Sequence, residues 1–485
     1  MNLREFLFSL AALLAFSCAK APEPAVKPIT GTWVNLAWKD VRNKYTNPQG
    51  TDMLDPALWR AKVDEWYGMG LEYLILMEVA NFGEAYYPSG IMPRVYPEGQ
   101  ESPVDAILSQ AALHGMHVFL STGWACDQDD DIRLEPIRKR QQEIMEELAA
   151  LYKDSPAFYG WYLPVEDCIT PVFPRSAVEA VNRLVDRARE LTPGKKTLIS
   201  PYGMVYAEYD NPALAENIRS LKVDIIAYQD EVGCLREPYP LRRLRENWKK
   251  LRAIHDGTSI QMWANCETFT WEGNTNDRTS ALIPASYYRL LAQQAAASEG
   301  GVERIVSFMF GGIIENPASE YPLGAGDMST ALFNDYMSWK SGSVTWKMVE
   351  ASYLGSLSWI PASCSLPVLT DGILADEQPG PGWQLFGPGH DTLTVRFGKT
   401  AIDRIAIRFL DSAKDGIMPP DDLSVYSGDT LLNEFRYTPS ANNRHDAWVQ
   451  TAIFQLDGAQ TDNLFFVYGS GHPFCIDEII LNPTY

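Results

Sequence analysis

From about residue 30 to residue 345 the chain repeats one unit: a short apolar run, then an amphipathic stretch with a helical period. The apolar runs begin at Ile29, Leu71, Met116, Phe158, Lys196, Val223, Ser259 and Arg304. Helical stretches lie between them, among them those from Asp55, Ile132 and Ser176. Eight such units in about 315 residues is the arithmetic of a (β/α)8 barrel, the TIM-barrel class of α/β fold. A doubly wound sheet would need a Gly-rich phosphate turn after its first strand, and the run ITGTWVNLAW from Ile29 carries none. After about residue 345 the helical period stops. Alternating runs punctuated by Gly, Pro, Asp and Asn take over, which predicts an all-β sandwich of about 130 residues.

Net charge is −21 and no run of Lys or Arg stands out, so nucleic acid is excluded as a partner. The first residues hold one basic residue, Arg4, and an apolar stretch from Phe6 to Phe16 that is too short to span a bilayer. Small residues lead to Cys18, and a Pro-rich stretch from Ala21 to Pro28 follows. This pattern predicts an export signal over residues 1–17, a tether over 18–29, the barrel over 30–345 and the sandwich over 346–485. Ala15-Phe16-Ser17-Cys18 resembles a bacterial lipobox, which implies lipidation at Cys18, a membrane anchor, and a place in the periplasm or on the outer membrane. An ordinary signal-peptidase site at the same place is the alternative. Six further cysteines include no CxxC pair, so a zinc site is not expected. Cys126, Cys168, Cys234 and Cys266 each fall just after an expected strand.

In barrels of this kind the carboxyl ends of the strands build the active-site rim, and here acids gather at them. The fourth run ends in Glu166-Asp167, the seventh in Asn265-Cys266-Glu267, the sixth in Gln229-Asp230-Glu231 and the second in Met77-Glu78. Strand alternation assigns each residue a face. On the fourth strand Trp161, Leu163 and Val165 are expected to face the helices, with Tyr162, Pro164 and Glu166 inward. On the seventh, Trp263, Asn265 and Glu267 are expected inward. On the sixth, Ile225 and Ala227 are expected outward and Asp224, Tyr228 and Asp230 inward. Aromatic residues Trp33, Trp38, Trp124, Tyr202, Trp263 and Trp271 fall at the same ends, where they could stack on sugar rings. Asn35, Glu78, Asp167, Gln229, Asp230 and Asn265 supply polar groups beside them. Two opposed carboxyl groups at one mouth suit glycoside hydrolysis, one giving a proton to the leaving oxygen and the other attacking or activating water.

The pairing of strand four with strand seven resembles the large clan of retaining glycosidases with a (β/α)8 fold. That resemblance implies Glu166 as acid/base, Glu267 as nucleophile and Tyr228 as the group that orients the nucleophile. The clan has Asn before its acid/base; Val165 stands there in this chain, and Asp167 is the rival acid. The runs GTWVNLAW, LPVED, IIAYQDEVG and WANCETF together resemble an uncharacterised group of exported bacterial lipoproteins with a glycosidase-like barrel. In the C-terminal part, Leu369 to Ile373, Pro381-Gly382-Trp383, Ile417 to Pro420 and Ile476 to Ile479 resemble the discoidin, or galactose-binding-like, jelly roll.

The acidic run Asp127 to Asp131 precedes an expected helix, where acids suit the positive dipole end, and it lacks EF-hand spacing. There is no Ser-centred elbow and the six His do not cluster, so Ser-His hydrolysis is not expected. The sequence therefore predicts a monomeric, cofactor-free and metal-free glycosidase acting on an oligo- or polysaccharide. The alternative is a glycan-binding surface lipoprotein without catalysis.

Overall fold

The structure is a computed structural model that describes residues 26–37, 51–123, 131–234, 241–271, 281–285, 287–324, 326–342, 350–354, 364–365, 369–370, 375, 379, 382–437 and 447–481. Cys18, Trp38, Trp124, Cys126 and residues 127–130 lie outside the described residues.

Strands and helices alternate eight times, each strand followed by its helix. These are β1 (Ile29–Val34), α1 (Pro56–Gly68), β2 (Tyr73–Leu76), α2 (Pro103–His114), β3 (His117–Ser121), α3 (Glu135–Tyr152), β4 (Phe158–Tyr162) and α4 (Arg175–Leu191). They continue as β5 (Lys196–Ile199), α5 (Pro212–Arg219), β6 (Ile225–Gln229), α6 (Leu241–His255), β7 (Gln261–Glu267), α7 (Tyr287–Glu299), β8 (Arg304–Phe308) and α8 (Asp327–Lys340). Every strand pairs in parallel with its neighbours, and β8 closes onto β1. The eight expected runs are the eight barrel strands.

Local chemistry starts several helices. Asp55, Ser102 and Asn211 each accept a backbone N–H from the first turn, and each is followed by Pro at a position whose missing N–H has no helical partner anyway. The expected start near Ile132 moves to Glu135, and Asp131 instead binds the N–H and guanidinium of Arg133.

Two apolar layers result. Trp33, Tyr73, Ile75, Phe119, Tyr162, Leu198, Ile225, Ala227, Trp263 and Val306 pack inside the barrel. A larger layer lies between strands and helices, and it includes Trp161, whose Nε1 donates to Thr192 Oγ1 at 2.8 Å. β4 and β7 thus keep the expected phase, but β6 reverses it. Ile225 and Ala227 fill the interior, while Tyr228 points out to α6, where its hydroxyl meets His255 Nε2 at 2.9 Å. Both faces of a parallel barrel strand are buried, so polarity did not identify the inner one. A small Ala fits the crowded interior, and a Tyr hydroxyl finds its partner in the helix layer.

Beyond α8 the described elements, apart from one 3-10 turn at Ala413–Asp415, are antiparallel strands: β9 (Glu350–Leu354), β10 (Cys364–Ser365), β11 (Gln384–Phe386), β12 (Gly389–Asp411), β13 (Asp422–Ser427), β14 (Thr430–Arg436), β15 (Trp448–Ser470) and β16 (Phe474–Leu481). β12 and β15 pair along their length, with register shifts between Arg396 and Arg404. β9 adds to the first part of β12 and β16 to the second, while β13 and β14 extend from β15. The two parts enclose one core, with Leu393, Val395, Leu423 and Phe466 from one and Ile407, Phe409, Phe454 and Ile479 from the other.

Candidate active site

The carboxyl ends of the strands open into a cavity of about 450 Å³. Trp33 and Asn35 enter it from β1, Met77 and Glu78 from β2, and Asn81 and Phe82 from the hairpin that follows β2. Tyr162 and Glu166 come from β4, Ser200 from β5 and Gln229 and Cys234 from β6. Asn265, Glu267 and Phe269 come from β7 and Phe308 from β8. None of these described lining residues is Lys, Arg or His.

Glu166 follows the segment Leu163–Val165, which leaves β4 in a tight turn closed by the Val165 N–H on the Leu163 carbonyl at 2.7 Å, and its carboxyl lines the wall. The side chain is open to the cavity. The surrounding walls still displace much of the carboxyl's hydration, and that desolvation pushes it up to about 7. Its neighbour Asp167 turns away and pairs with Arg133 at 3.6 Å. Asp167 is also raised by burial, and Arg133 offsets part of that rise.

Glu267 is built differently. It is 3% exposed, and its Oε2 accepts the N–H groups of Gly233 at 2.7 Å and Cys234 at 2.6 Å. Gly233 allows this approach, since a Cβ there would lie 2.5 Å from the Phe269 carbonyl oxygen. Behind Glu267, Asp230 Oδ1 accepts the Glu267 N–H at 3.1 Å and its Oδ2 accepts Gln293 Nε2 at 2.7 Å. Arg289, buried in the same layer, donates to the carbonyls of Glu267 at 2.8 Å and Phe269 at 2.7 Å. Burial first, then the charge of Asp230, raises Glu267, against the pull of the Cys234 N–H and thiol. Burial likewise raises Asp230 and lowers Arg289 to about 10.

Glu78 is a third lining carboxyl, 2% exposed. Its Oε1 accepts the N–H groups of Leu36 and Ala37, both at 2.7 Å. Burial pushes it up to about 8.

Of the residues singled out from sequence, the fold brings Trp33, Asn35, Glu78, Glu166, Gln229, Asn265 and Glu267 to one cavity. Five others differ from expectation. Tyr228 faces α6 and cannot orient Glu267; the N–H groups of Gly233 and Cys234 hold that carboxyl. Trp263 lies in the interior layer, edge-on to Tyr73 with centroids 5.1 Å apart, and is not on the cavity wall. Asp230 lies behind Glu267, and Asp167 pairs with Arg133. Tyr202 is exposed, its backbone pinned to the segment after Glu166 through Ile169 N–H at 2.8 Å. Cys168, Cys266 and Cys475 are free thiols.

Sequence reasoning missed Phe82, Phe269, Phe308, Arg289 and Gln293. Arg289 and Gln293 do leave a trace, as polar residues four apart in the apolar helix YYRLLAQQAAASE. Among the described residues no group of His, Cys, Asp and Glu is placed to hold a metal ion.

Fold and site define a (β/α)8-barrel protein with a carboxylate-lined mouth. Residues 29–321 match the family described as Domain of unknown function (DUF4434), and the chain belongs to that family. No curated protein matches the chain. Its structural neighbours are glycoside hydrolases. A candidate α-L-fucosidase from Bacteroides thetaiotaomicron VPI-5482 is 18% identical with a TM-score of 0.51, over 67% of this chain and 97% of that one. A glycoside hydrolase family 5 protein from Bacteroides vulgatus ATCC 8482 is 12% identical with a TM-score of 0.40, over 86% of each chain. A family 5 protein from Streptomyces cattleya, in complex with Manβ1-4GlcNAc, is 15% identical with a TM-score of 0.39, over 60% of this chain and 78% of that one. These likenesses concern the fold.

Proposed function

We propose that the protein is a glycoside hydrolase acting on an oligo- or polysaccharide through Glu166 and Glu267. The observation that carries this reading is one cavity holding two carboxyls of unlike environment at the ends of β4 and β7. Glu166, open to the cavity and held near 7, gives its proton to the glycosidic oxygen as the C–O bond breaks. Glu267, gripped by two backbone N–H groups, attacks the anomeric carbon as a carboxylate. Glu166, now ionised, then takes a proton from the water that releases the sugar. Trp33, Phe269 and Phe308 offer apolar faces to the ring.

Glu267→Gln removes nearly all turnover on any true substrate. Glu166→Gln fails chiefly on substrates with poor leaving groups, because a good leaving group departs without an acid. Wild-type rates in both variants overturn the assignment. Saccharide binding by the unmodified protein without turnover supports glycan capture instead.

The export signal, the Cys18 anchor and the galactose-binding-like character of the C-terminal strands belong to the same reading, as a cell-envelope enzyme. Cys18→Ser then abolishes lipid labelling and leaves the precursor unprocessed, whereas normal cleavage of that variant indicates an ordinary signal peptide.

A further inference from the structure

The segment after β2 holds two features that the two-carboxylate chemistry leaves unused. The first is Glu78. Its Oε1 is saturated by two backbone N–H groups, while its Oε2, fully buried, has no hydrogen-bond partner among the described residues. Across the cavity the side-chain oxygen of Asn265, a residue 3% exposed, is also without a partner. Buried polar atoms of this kind are rare in native proteins, and two on residues lining one cavity call for a ligand that both donates and accepts. A sugar hydroxyl does both.

The second feature is Phe82. Ala80–Asn81 and Glu84–Ala85 form a short antiparallel hairpin whose two central residues, Phe82 and Gly83, both have positive φ, 49° and 80°. Such turns favour Asn, Asp and Gly, and a Phe is a costly occupant of the first position. Here the Phe is 59% exposed at the tip of the hairpin and lines the cavity. Backbone strain kept at an exposed aromatic beside a cavity fits a recognition role. The hairpin is fixed from below, because Gly123 after β3, at φ 68°, packs where a Cβ would lie 2.1 Å from the Ala80 carbonyl oxygen and 2.9 Å from Glu78 Cβ.

We infer that the β2 hairpin forms a subsite for an uncharged sugar unit, in which Glu78 Oε2 donates to a ring hydroxyl and Phe82 carries the ring face. This rests on the saccharide reading above and narrows its substrate class. Burial holds the Glu78 carboxyl protonated at neutral pH, so it offers a donor and not an anion. None of the described lining residues is a cation that could pair with a uronate or sulfated unit, so such a unit would lose its hydration there without compensation. An ammonium group would have to ionise Glu78 against its burial.

The test is calorimetric titration of the full chain carrying Glu267→Gln. The probes are cellohexaose, xylohexaose, mannohexaose, a chitosan hexamer and a galacturonate hexamer, followed by the same titrations with Glu78→Leu, Glu78→Gln or Phe82→Ala added. A neutral oligomer is expected to bind and the two charged ones not. Phe82→Ala and Glu78→Leu each weaken binding about tenfold or more, the loss of one aromatic plate or one well-placed hydrogen bond. Glu78→Gln recovers most of that loss, since its amide nitrogen donates from the same place. Because Glu78→Leu strips an acceptor from two N–H groups, its thermal melting is compared with the parent, and Phe82→Ala alters only an exposed tip.

Tighter binding of the chitosan hexamer, or a Glu78→Gln loss equal to that of Glu78→Leu, overturns the neutral-donor role. Neutral binding that ignores both Phe82→Ala and Glu78→Leu overturns the subsite alone. No binding by any of the five oligomers overturns the saccharide reading, and the subsite with it.

Discussion

Replacing Glu78 by Gln changes how the stability of the barrel depends on pH. In the folded chain burial raises this carboxyl from an ordinary 4.5 to about 8, with only the Leu36 and Ala37 N–H groups pulling against it. The folded value lies above the unfolded one, so the favourable contribution is fully present below about 4.5. It is lost as pH rises through about 8, because the unfolded chain ionises first and gains from doing so. At about 1.4 kcal/mol per pH unit, the loss across that interval is on the order of 5 kcal/mol. The groups facing Glu78 do not cancel the effect: Tyr86 and Tyr162 are phenols raised by their own burial, and Glu166 brings a further acid. Glu166, Glu231 and Glu267 titrate over the same interval, so the difference between variant and parent isolates Glu78. The Gln carbonyl accepts the same two N–H groups and never ionises. Urea denaturation followed by tryptophan fluorescence at pH 5 and pH 9 reads the outcome. The parent is expected to lose several kcal/mol more than Glu78→Gln between the two. Parallel stability curves would refute a buried, uncompensated carboxyl at this position.

Turnover should follow a bell set by the Glu166 proton, near 7, and by the Glu267–Asp230 pair, which burial raises and which titrates as a unit. With a good leaving group, Glu166→Gln should lose the falling limb and keep rising toward pH 9. Tyr228→Phe should cost about 1 kcal/mol of stability through the lost His255 contact, without changing kcat, because the ring lies outside the barrel. Arg289→Met should destabilise by about 3–5 kcal/mol, since it leaves Asp230 and Glu267 in one buried layer without their cation. Equal melting temperatures for Arg289→Met and the parent would contradict that layer.

The eight strand–helix units were legible in the sequence because each unit has to hide one apolar face, and the period of that face distinguishes strand from helix. The carboxyls at the ends of β4 and β7 were legible too: Tyr162 and Glu166, like Asn265 and Glu267, share a strand phase, and the alternate phase of each strand is apolar. What tertiary structure decided lies where that contrast fails. On β6 both phases are buried, so Ala227 and Tyr228 could not be sorted by polarity; the space inside the barrel and the His255 ring on α6 sorted them. The partners of the acids came from distant chain as well. Glu78 takes its N–H groups from 41 and 42 residues away, and Glu267 depends on Gly233 and Cys234 from the preceding unit and on Arg289 from the helix of its own. Whether a carboxyl is ionised depends on which donors and which water reach it, and that environment exists only once the units have closed into the barrel.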